Sequence, residues 1–383
     1  MFEGRADRRK VLALGALVLL AGCKVIPKGV KDTSPPVADL PSDALPKDGQ
    51  RHRVALLVPL SGANAGVGEA IANATMLALL DTNAQNLRIT NYDTAAGPAA
   101  AAQKAIADGN KLILGPLASE EVAAVATVAR AAKVPLISYA GDASVAAPDV
   151  FILGTHPGIS LSRSVAHARA GGATRFAALV PDGDYGRRAE AAFGQAVQSA
   201  GGVVVAVQPY ARGNTSIVSA AQRLRTRGGF DAVLVADGAR AGVQAAPNLK
   251  RTGFNPRILG TELWSGESVV GTTPALRGAW FAAVSDTRFK QFADGYQSRF
   301  GARPYRIATL GYDSVLLTIR VARDWRPGTS FPVARLRDSG GFLGLDGPFR
   351  FFSNGVIERA LEVREARAGG VVVVSPAPES FGG

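Results

Sequence analysis

Beyond residue 50, short apolar runs alternate with segments of helical character, and this alternation limits the possible fold more than any other feature. The first four runs cover residues 54–60, 87–92, 111–114 and 134–138, so the repeat is about 25 to 30 residues long. Runs of this length suit strands that are buried on both faces. Alternating strands and helices predict a parallel sheet covered by helices on both sides.

A second series of the same kind follows a break at residues 154–158, where Gly-Thr-His-Pro-Gly is typical of a hinge. Its strand-like runs are 175–180, 202–208, 232–236 and 257–259, and the helical segments between them are 187–200, 215–227 and 239–252. Two such series predict an α/β chain with two doubly wound parallel-sheet lobes. Two more helices are predicted over 286–300 and 305–325, followed by a hairpin with an Asn-Gly turn at Asn354.

Six short motifs along both series occur in an order that is known from one family. They are residues 54–62, 114–116, 134–138, 182–186, 311–314 and 342–355. In this order they resemble the leucine/isoleucine/valine-binding type of periplasmic binding protein, type I, over nearly all of residues 52–365. The resemblance implies two lobes joined by a three-segment hinge. Lobe 1 would comprise residues 52–156 and 284–340, and lobe 2 would comprise residues 157–283 and 341–383.

The first 22 residues have the features of a signal sequence for export. Four basic residues precede the ten-residue apolar run 11–20, which is too short for a bilayer span of about 20 residues. Leu20-Ala21-Gly22-Cys23 then resembles a bacterial lipobox, which implies cleavage after residue 22 and a lipid anchor on Cys23. Residues 23–50 hold this cysteine and a proline-rich stretch without apolar periodicity, which we interpret as a tether.

Lys24 bears on the location of the anchored protein. A lipoprotein signal with lysine after the cysteine resembles those sorted to the outer membrane in bacteria with two membranes. We therefore expect the protein on the periplasmic face of the outer membrane, held through Cys23. In a cell with one membrane the sorting argument does not apply, and an anchored solute receptor is then the ordinary arrangement.

Composition and motifs exclude several functional classes. One Cys and three His provide no disulfide framework and no metal site. The net charge of +12 becomes +10 without residues 1–22, which hold four basic and two acidic groups, and the dispersed arginines do not predict a nucleic-acid partner. Nucleophile-elbow, phosphate-loop and His-Glu-x-x-His motifs do not occur. We expect neither an enzyme nor a bound cofactor.

Two binding functions remain. The lipobox and the phrase Val58-Pro59-Leu60-Ser61-Gly62 look most like the outer-membrane lipoprotein activators of penicillin-binding proteins. This resemblance implies docking on, and activation of, a class A penicillin-binding protein, a peptidoglycan synthase. The best-known activators carry a helical-repeat domain where this chain has only the tether. The alternative is a solute receptor that binds an amino acid or small peptide between the lobes for a transporter or sensor. The expected outer-membrane location favours the activator.

The candidate site lies beyond the carboxyl ends of the predicted strands, where open α/β sheets bind ligands. In amino-acid receptors of the family, positions like Ser119 and residues 138–140 hold the ligand carboxylate and amino group. Tyr185 would cover the ligand, and an acid near Asp237 or Glu262 would pair with its ammonium group. The candidate cleft residues are Ser61, Ser119, Ser138, Tyr139, Ala140, Tyr185, Asp237 and Glu262. Turn formation and helix capping account for the serines and the acidic turns equally well.

Overall fold

A computed structural model describes residues 48–250 and 252–381 of the chain. The fold below is that of the unit Leu45–Gly383. The expected signal sequence, the lipobox with Cys23 and nearly all of the tether lie outside the described residues. In the described part, no helix combines the length and the apolar character that crossing a bilayer requires.

Lobe 1 is built on a five-stranded parallel sheet with the strand order β2-β1-β3-β4-β5. Its strands are β1 (His52–Val58), β2 (Leu87–Asp93), β3 (Leu112–Leu114), β4 (Leu136–Ser138) and β5 (Val150–Ile152). The connecting helices are α1 (Ala65–Asp81), α2 (Pro98–Ala107) and α3 (Ser119–Ala131). The parallel order confirms the α/β sheet that the first series of apolar runs predicts.

Strand β1 shows why its apolar run is continuous rather than alternating. Val54, Leu56 and Val58 pack on one face of the sheet, among side chains of α1. Ala55 and Leu57 pack on the other face, among side chains of α2 and α3. All five residues are fully buried. A strand covered on both faces needs apolar residues at every position, which is the pattern of buried parallel strands.

Lobe 2 begins after residue 156 and repeats the alternation. Its helices are α4 (Pro157–Ala170), α5 (Asp184–Ser199), α6 (Ser216–Arg227), α7 (Ala239–Leu249) and the short α8 (Val269–Thr272). Its parallel strands are β6 (Arg175–Pro181), β7 (Val203–Tyr210), β8 (Ala232–Val235), β9 (Arg257–Leu259) and β10 (Trp280–Ala283). The chain then returns to lobe 1, where α9 (Thr287–Phe300) and α10 (Thr309–Ala322) follow; α10 packs on α1.

The segment that follows α10 belongs to a different lobe from the one we expected. We expected residues 341–383 in lobe 2, but the antiparallel sheet of β11 (Phe342–Gly344), β12 (Gly347–Phe351) and β13 (Ile357–Arg359) packs on lobe 1. Its phenylalanines, Phe342, Phe349 and Phe351, share a core with β1 and α10 because they point to one face of the sheet. The expected hairpin is confirmed between β12 and β13, although its second strand ends at Arg359.

The chain enters lobe 2 again only at residue 362. Strand β14 (Glu362–Arg367) pairs antiparallel with β10, and β15 (Gly370–Ser375) pairs antiparallel with β14. They complete a seven-stranded sheet in the order β15-β14-β10-β9-β8-β6-β7. Three segments therefore connect the lobes, near residues 153–156, 284–286 and 360–362. The carboxyl ends of the parallel strands of both lobes face the space between these connections, where the candidate site lies.

Candidate functional site

A cavity of about 740 Å³ lies between the two lobes beside the connecting segments. Its wall is mostly apolar and includes Leu117, Phe289, Ile307, Leu310 and Leu361. Leu117 follows β3, Ile307 lies in the turn just before α10 and Leu310 lies near the start of α10, so residues far apart in the chain form one surface. An apolar cavity with few polar groups is typical of a small-molecule site.

Glu262 is the acidic residue that lobe 2 contributes to the described wall of this cavity. One carboxylate oxygen, Oε1, accepts a hydrogen bond from the Tyr185 hydroxyl at 3.0 Å. The other oxygen, Oε2, is buried and has no hydrogen-bond partner among the described residues. Burial raises the pKa of Glu262, because a carboxylate loses hydration there without gaining a cation. Burial and the nearby Glu262 charge likewise raise the pKa of Tyr185.

A buried tryptophan holds Glu262 at this place. Glu262 opens a short 3-10 turn that ends at Trp264, a side chain with 1% of its surface exposed. The Trp264 indole N–H donates to the backbone oxygen of Asp237 at 2.9 Å, which ties the turn to the end of β8. Its ring lies so close to α7 that a Cβ on Gly242 would come within 2.5 Å of it. The position of the Glu262 turn therefore depends on a packed core residue.

Asp237, the second acidic candidate, already has a cation. Arg212 binds both of its carboxylate oxygens, at 2.9 Å and 3.0 Å, and the Tyr210 hydroxyl donates to Oδ2 at 2.7 Å. Asp237 also lines a different cavity, of about 710 Å³, on the surface of lobe 2. Its carboxylate is therefore neutralised within the protein, and it does not line the cavity between the lobes.

Ser138, Tyr139 and Ala140 are occupied by internal hydrogen bonds. Ser138 is fully buried; its hydroxyl donates to the Pro116 oxygen at 3.0 Å and accepts from the Ala140 N–H at 3.1 Å. The Tyr139 hydroxyl pairs with the Ser314 hydroxyl at 2.9 Å, and burial raises the pKa of Tyr139. Only Tyr139 of the three lines the cavity.

The remaining serines lie away from the cavity. The Ser61 hydroxyl donates to Asp93 at 2.6 Å beside a smaller pocket of about 250 Å³. Ser119 is the half-buried first residue of α3, so Ala118 rather than Ser119 occupies the N-cap position. Of the eight candidates, the structure therefore brings Tyr139 and Glu262 into the cavity wall, with Tyr185 hydrogen-bonded to Glu262.

Sequence reasoning missed a charged cluster on the lobe 1 side of the cavity. Arg306 pairs with Asp286 at 2.7 Å and with Asp346 at 2.9 Å, and its guanidinium lies 4.1 Å from the centre of the Phe289 ring. Thr309 donates to the other Asp346 oxygen at 2.7 Å. The Asp-Gly turn at residues 346–347 was the one visible signal. Among the described residues, no group of three His, Cys, Asp or Glu is arranged to hold a metal ion.

An ion pair links the lobes next to the cavity. Asp142 follows β4 in lobe 1, and its Oδ2 lies 3.0 Å from Nη1 of Arg188 on α5 of lobe 2. The Asp142 side chain is 13% exposed, so the pair is partly shielded from solvent. The same carboxylate accepts hydrogen bonds from the backbone and hydroxyl of Ser144, which fix its orientation.

Comparisons with solved structures find the same two-lobed fold. A protein assigned to a branched-chain amino acid ABC transporter of Rhodospirillum rubrum superposes with a TM-score of 0.73 and 22% identity, covering 85% of this chain and 100% of that one. The branched-chain amino acid substrate-binding protein of Streptococcus pneumoniae, bound to isoleucine, gives 0.58 and 20%, with coverage of 86% and 100%. A solute-binding protein of Rhodopseudomonas palustris, bound to 3,4-dihydroxybenzoic acid, gives 0.60 and 22%, with coverage of 87% and 97%.

Sequence comparison gives one partial relative and one family. An uncharacterized protein of Rickettsia prowazekii is 28% identical over 141 residues, which are 36% of this chain and 38% of that protein. The chain thus spans well under half of that relative. The model of the periplasmic binding protein family matches residues 52–370, the whole two-lobed region up to the start of its last strand. This chain belongs to the periplasmic binding protein family.

Proposed function

We propose that this protein is a solute receptor whose lobes close on a small molecule that carries an ammonium group, a class that includes amino acids and short peptides. One observation carries the proposal: Glu262 lines the cavity between the lobes, and one of its carboxylate oxygens is buried without a partner among the described residues. A ligand ammonium group would supply the missing partner.

The surroundings of Glu262 favour a cationic ligand. Tyr185 holds one oxygen, so the orientation of the carboxylate is set before the ligand arrives. The apolar wall lowers the local dielectric, and two opposite charges 4 Å apart attract by about 4 kcal/mol at an effective dielectric constant of 20. Because the pKa of Glu262 is raised by burial, the empty site holds a proton more readily, and an ammonium group would displace it.

The binding fold also supports an extracytoplasmic location, which is where periplasmic binding proteins act. We further propose that Cys23 carries the lipid anchor and that the tether joins it to the two-lobed unit. The bound solute would then be presented to a transporter or sensor in the envelope. These steps rest on the lipobox and the proline-rich segment of the sequence.

Activation of a class A penicillin-binding protein is the second candidate. The lipobox and Lys24 support it, because a receptor for an inner-membrane transporter gains nothing from an outer-membrane anchor. The cavity and the similarity to solute-binding proteins support the receptor instead. Residues 24–383, immobilised without lipid, separate the two functions: a synthase captured from solubilised envelope and eluted by salt supports activation, whereas a transporter permease supports the receptor.

The receptor is tested by calorimetric titration of residues 24–383 with a panel of amino acids, dipeptides and simple amines. We expect at least one ligand to bind, and Glu262→Gln to weaken its binding about tenfold or more, since hydrogen bonds to charged groups contribute about 1.5–3 kcal/mol. The matched control is Glu267→Gln, which alters an exposed glutamate outside the cavity wall and should leave affinity unchanged. A panel without any binder, or equal affinity in Glu262→Gln, would contradict the proposal.

A further inference from the structure

We infer that the cavity selects amines without a carboxylate beside the ammonium group, rather than zwitterionic amino acids. This inference rests on the proposed function and narrows its ligand class. The charge of the cavity wall favours a cationic ligand. Three carboxylates, Glu262, Asp286 and Asp346, line the cavity, and Arg306 is the one cationic side chain among the described residues that does. A wall with this balance attracts a cation and repels an anion.

Arg306 is not free to bind a ligand carboxylate. It bridges Asp286 and Asp346 at 2.7 Å and 2.9 Å, and Phe289 covers one face of its guanidinium. Asp286 is held in turn by Arg364, at 2.7 Å from its other oxygen. Arg364 is itself paired with Glu362 at 2.7 Å, so the cluster has no surplus positive charge.

In the amino-acid receptors that the sequence resembles, hydroxyl and N–H donors of lobe 1 hold the ligand carboxylate. In this protein the corresponding donors have internal partners or lie outside the cavity. Ser138 and the Ala140 N–H bond to each other, and Ser119 does not line the cavity. The Tyr139 hydroxyl is paired with Ser314, and that of Thr309 with Asp346.

Hydroxyl groups that lack such internal partners come only from the connecting segment and lobe 2, among the residues described. These are Thr155 and Ser265, and Ser265 already accepts a long contact from Arg364 at 3.5 Å. Two neutral hydroxyls beside three carboxylates would leave a buried ligand carboxylate without a cation. Burying an unpaired charge is strongly unfavourable, so a zwitterion pays a penalty that the corresponding amine avoids.

The test uses matched pairs of probes that differ only in the carboxylate: leucine against 3-methylbutylamine, and phenylalanine against 2-phenylethylamine. Calorimetric titration of residues 24–383 should show the amine of at least one pair binding about tenfold or more tightly than its amino acid, a difference of about 1.4 kcal/mol. The amine affinity should fall in Glu262→Gln and persist in Glu267→Gln.

A second variant tests the cause of the selectivity. Asp286→Asn removes one carboxylate from the wall and releases one side of Arg306; the Asp286 side chain is 54% exposed, so we expect the fold to persist. The ratio of amine to amino-acid affinity should fall several-fold in this variant. If leucine binds through Glu262 and its amine does not, the inference fails while the receptor function stands. If neither probe of either pair binds, the inference is overturned, and binding elsewhere in the panel decides the receptor function.

Discussion

Asp237 and Glu262 are two carboxylates that follow neighbouring strands of lobe 2, yet they have opposite surroundings. Arg212 reaches Asp237 from the loop after β7 and binds both of its oxygens. No described side chain does the same for Glu262, which keeps one buried oxygen unpaired. The sequence places both acids at strand ends, but it does not show which of them Arg212 reaches, because that depends on how the loop after β7 packs. One arginine therefore accounts for the difference between a paired Asp237 and an unpaired Glu262 oxygen.

The unpaired state of Glu262 predicts a pH-dependent effect on stability. Its pKa is raised in the folded protein, so folding is favoured by the proton at low pH and loses that contribution as pH rises through the folded value. Below the unfolded value of about 4.3, the ligand-free parent and Glu262→Gln should therefore unfold with equal free energy. At pH 7 the variant should be the more stable of the two. Urea unfolding at both pH values measures the difference.

A lower stability of Glu262→Gln at pH 7 would mean that a cation of the protein already pairs with the carboxylate. The proposed ammonium partner would then be unnecessary. Tyr185→Phe serves as the control, because it removes the hydrogen bond to Oε1 without removing the charge. This variant should fix the Glu262 carboxylate less firmly, but Glu262 can still titrate. Its stability should therefore still decrease between low pH and pH 7.

At the scale of elements, the three-stranded sheet β11–β13 is the part that sequence patterns describe least well. The Asn-Gly turn predicts its hairpin, because a glycine with positive φ is needed there, and Gly355 has φ +84°. The turn rests on lobe 1, where the Ile152 N–H donates to the Gly355 oxygen at 2.9 Å. The sequence does not show which lobe the phenylalanine face packs against. Strand alternation predicts that one face is buried, but it does not predict the element that covers it.

Gly355 and Gly369 form a matched pair for testing how this turn is attached. Both have a positive φ, +84° and +83°, so alanine at either position costs about 1–2 kcal/mol of left-handed strain. At Gly355 the added Cβ would also come within 2.2 Å of the Val150 oxygen, whereas at Gly369 nothing lies within 4 Å. We expect Gly355→Ala to cost about 1–3 kcal/mol more than Gly369→Ala in chemical unfolding, as overpacking does. Equal losses would show that the turn is not held against β5.

Much of the fold was predictable and much of the site was not, for one physical reason. Buried parallel strands need apolar runs at every position, and β1 shows this pattern plainly, so the two sheets are visible in the sequence. A binding site depends on which polar groups remain unpaired after folding. Ser138 and Ala140 match the family's positions, but they bond to each other. Arg306 carries no motif, and Asp346 stands out only through its Asp-Gly turn, although both residues shape the charge of the cavity.

The Asp142–Arg188 pair joins the lobes beside the cavity. The pair is 3.0 Å long and lies in none of the three connecting segments, so it restrains the angle between the lobes independently of them. Partly exposed ion pairs contribute about 0.2–1 kcal/mol. A contribution of this size is too small to lock the lobes, but it is large enough to shift the balance between open and closed forms several-fold.

Arg188→Gln should therefore let the lobes move further apart without unfolding either lobe. We expect the radius of gyration of the ligand-free protein, measured by small-angle X-ray scattering, to increase, and ligand affinity to fall up to about fivefold. Arg187→Gln is the neighbouring control, because Arg187 pairs with Asp184 within the same helix, and it should change neither quantity. Identical scattering for Arg188→Gln and the parent would contradict a restraining role for the pair.

The order of strands in lobe 2 also sets the order in which the chain can acquire its structure during synthesis. Strand β10 is left with an open edge until β14 pairs with it, and the chain must first pass through α9, α10 and the three-stranded sheet of lobe 1. Lobe 1 in turn lacks α10 until residue 322 and the last strand of that sheet until residue 359 has been made. We therefore expect both lobes to be completed only near the end of translation, lobe 1 with β13 and lobe 2 with β14 and β15.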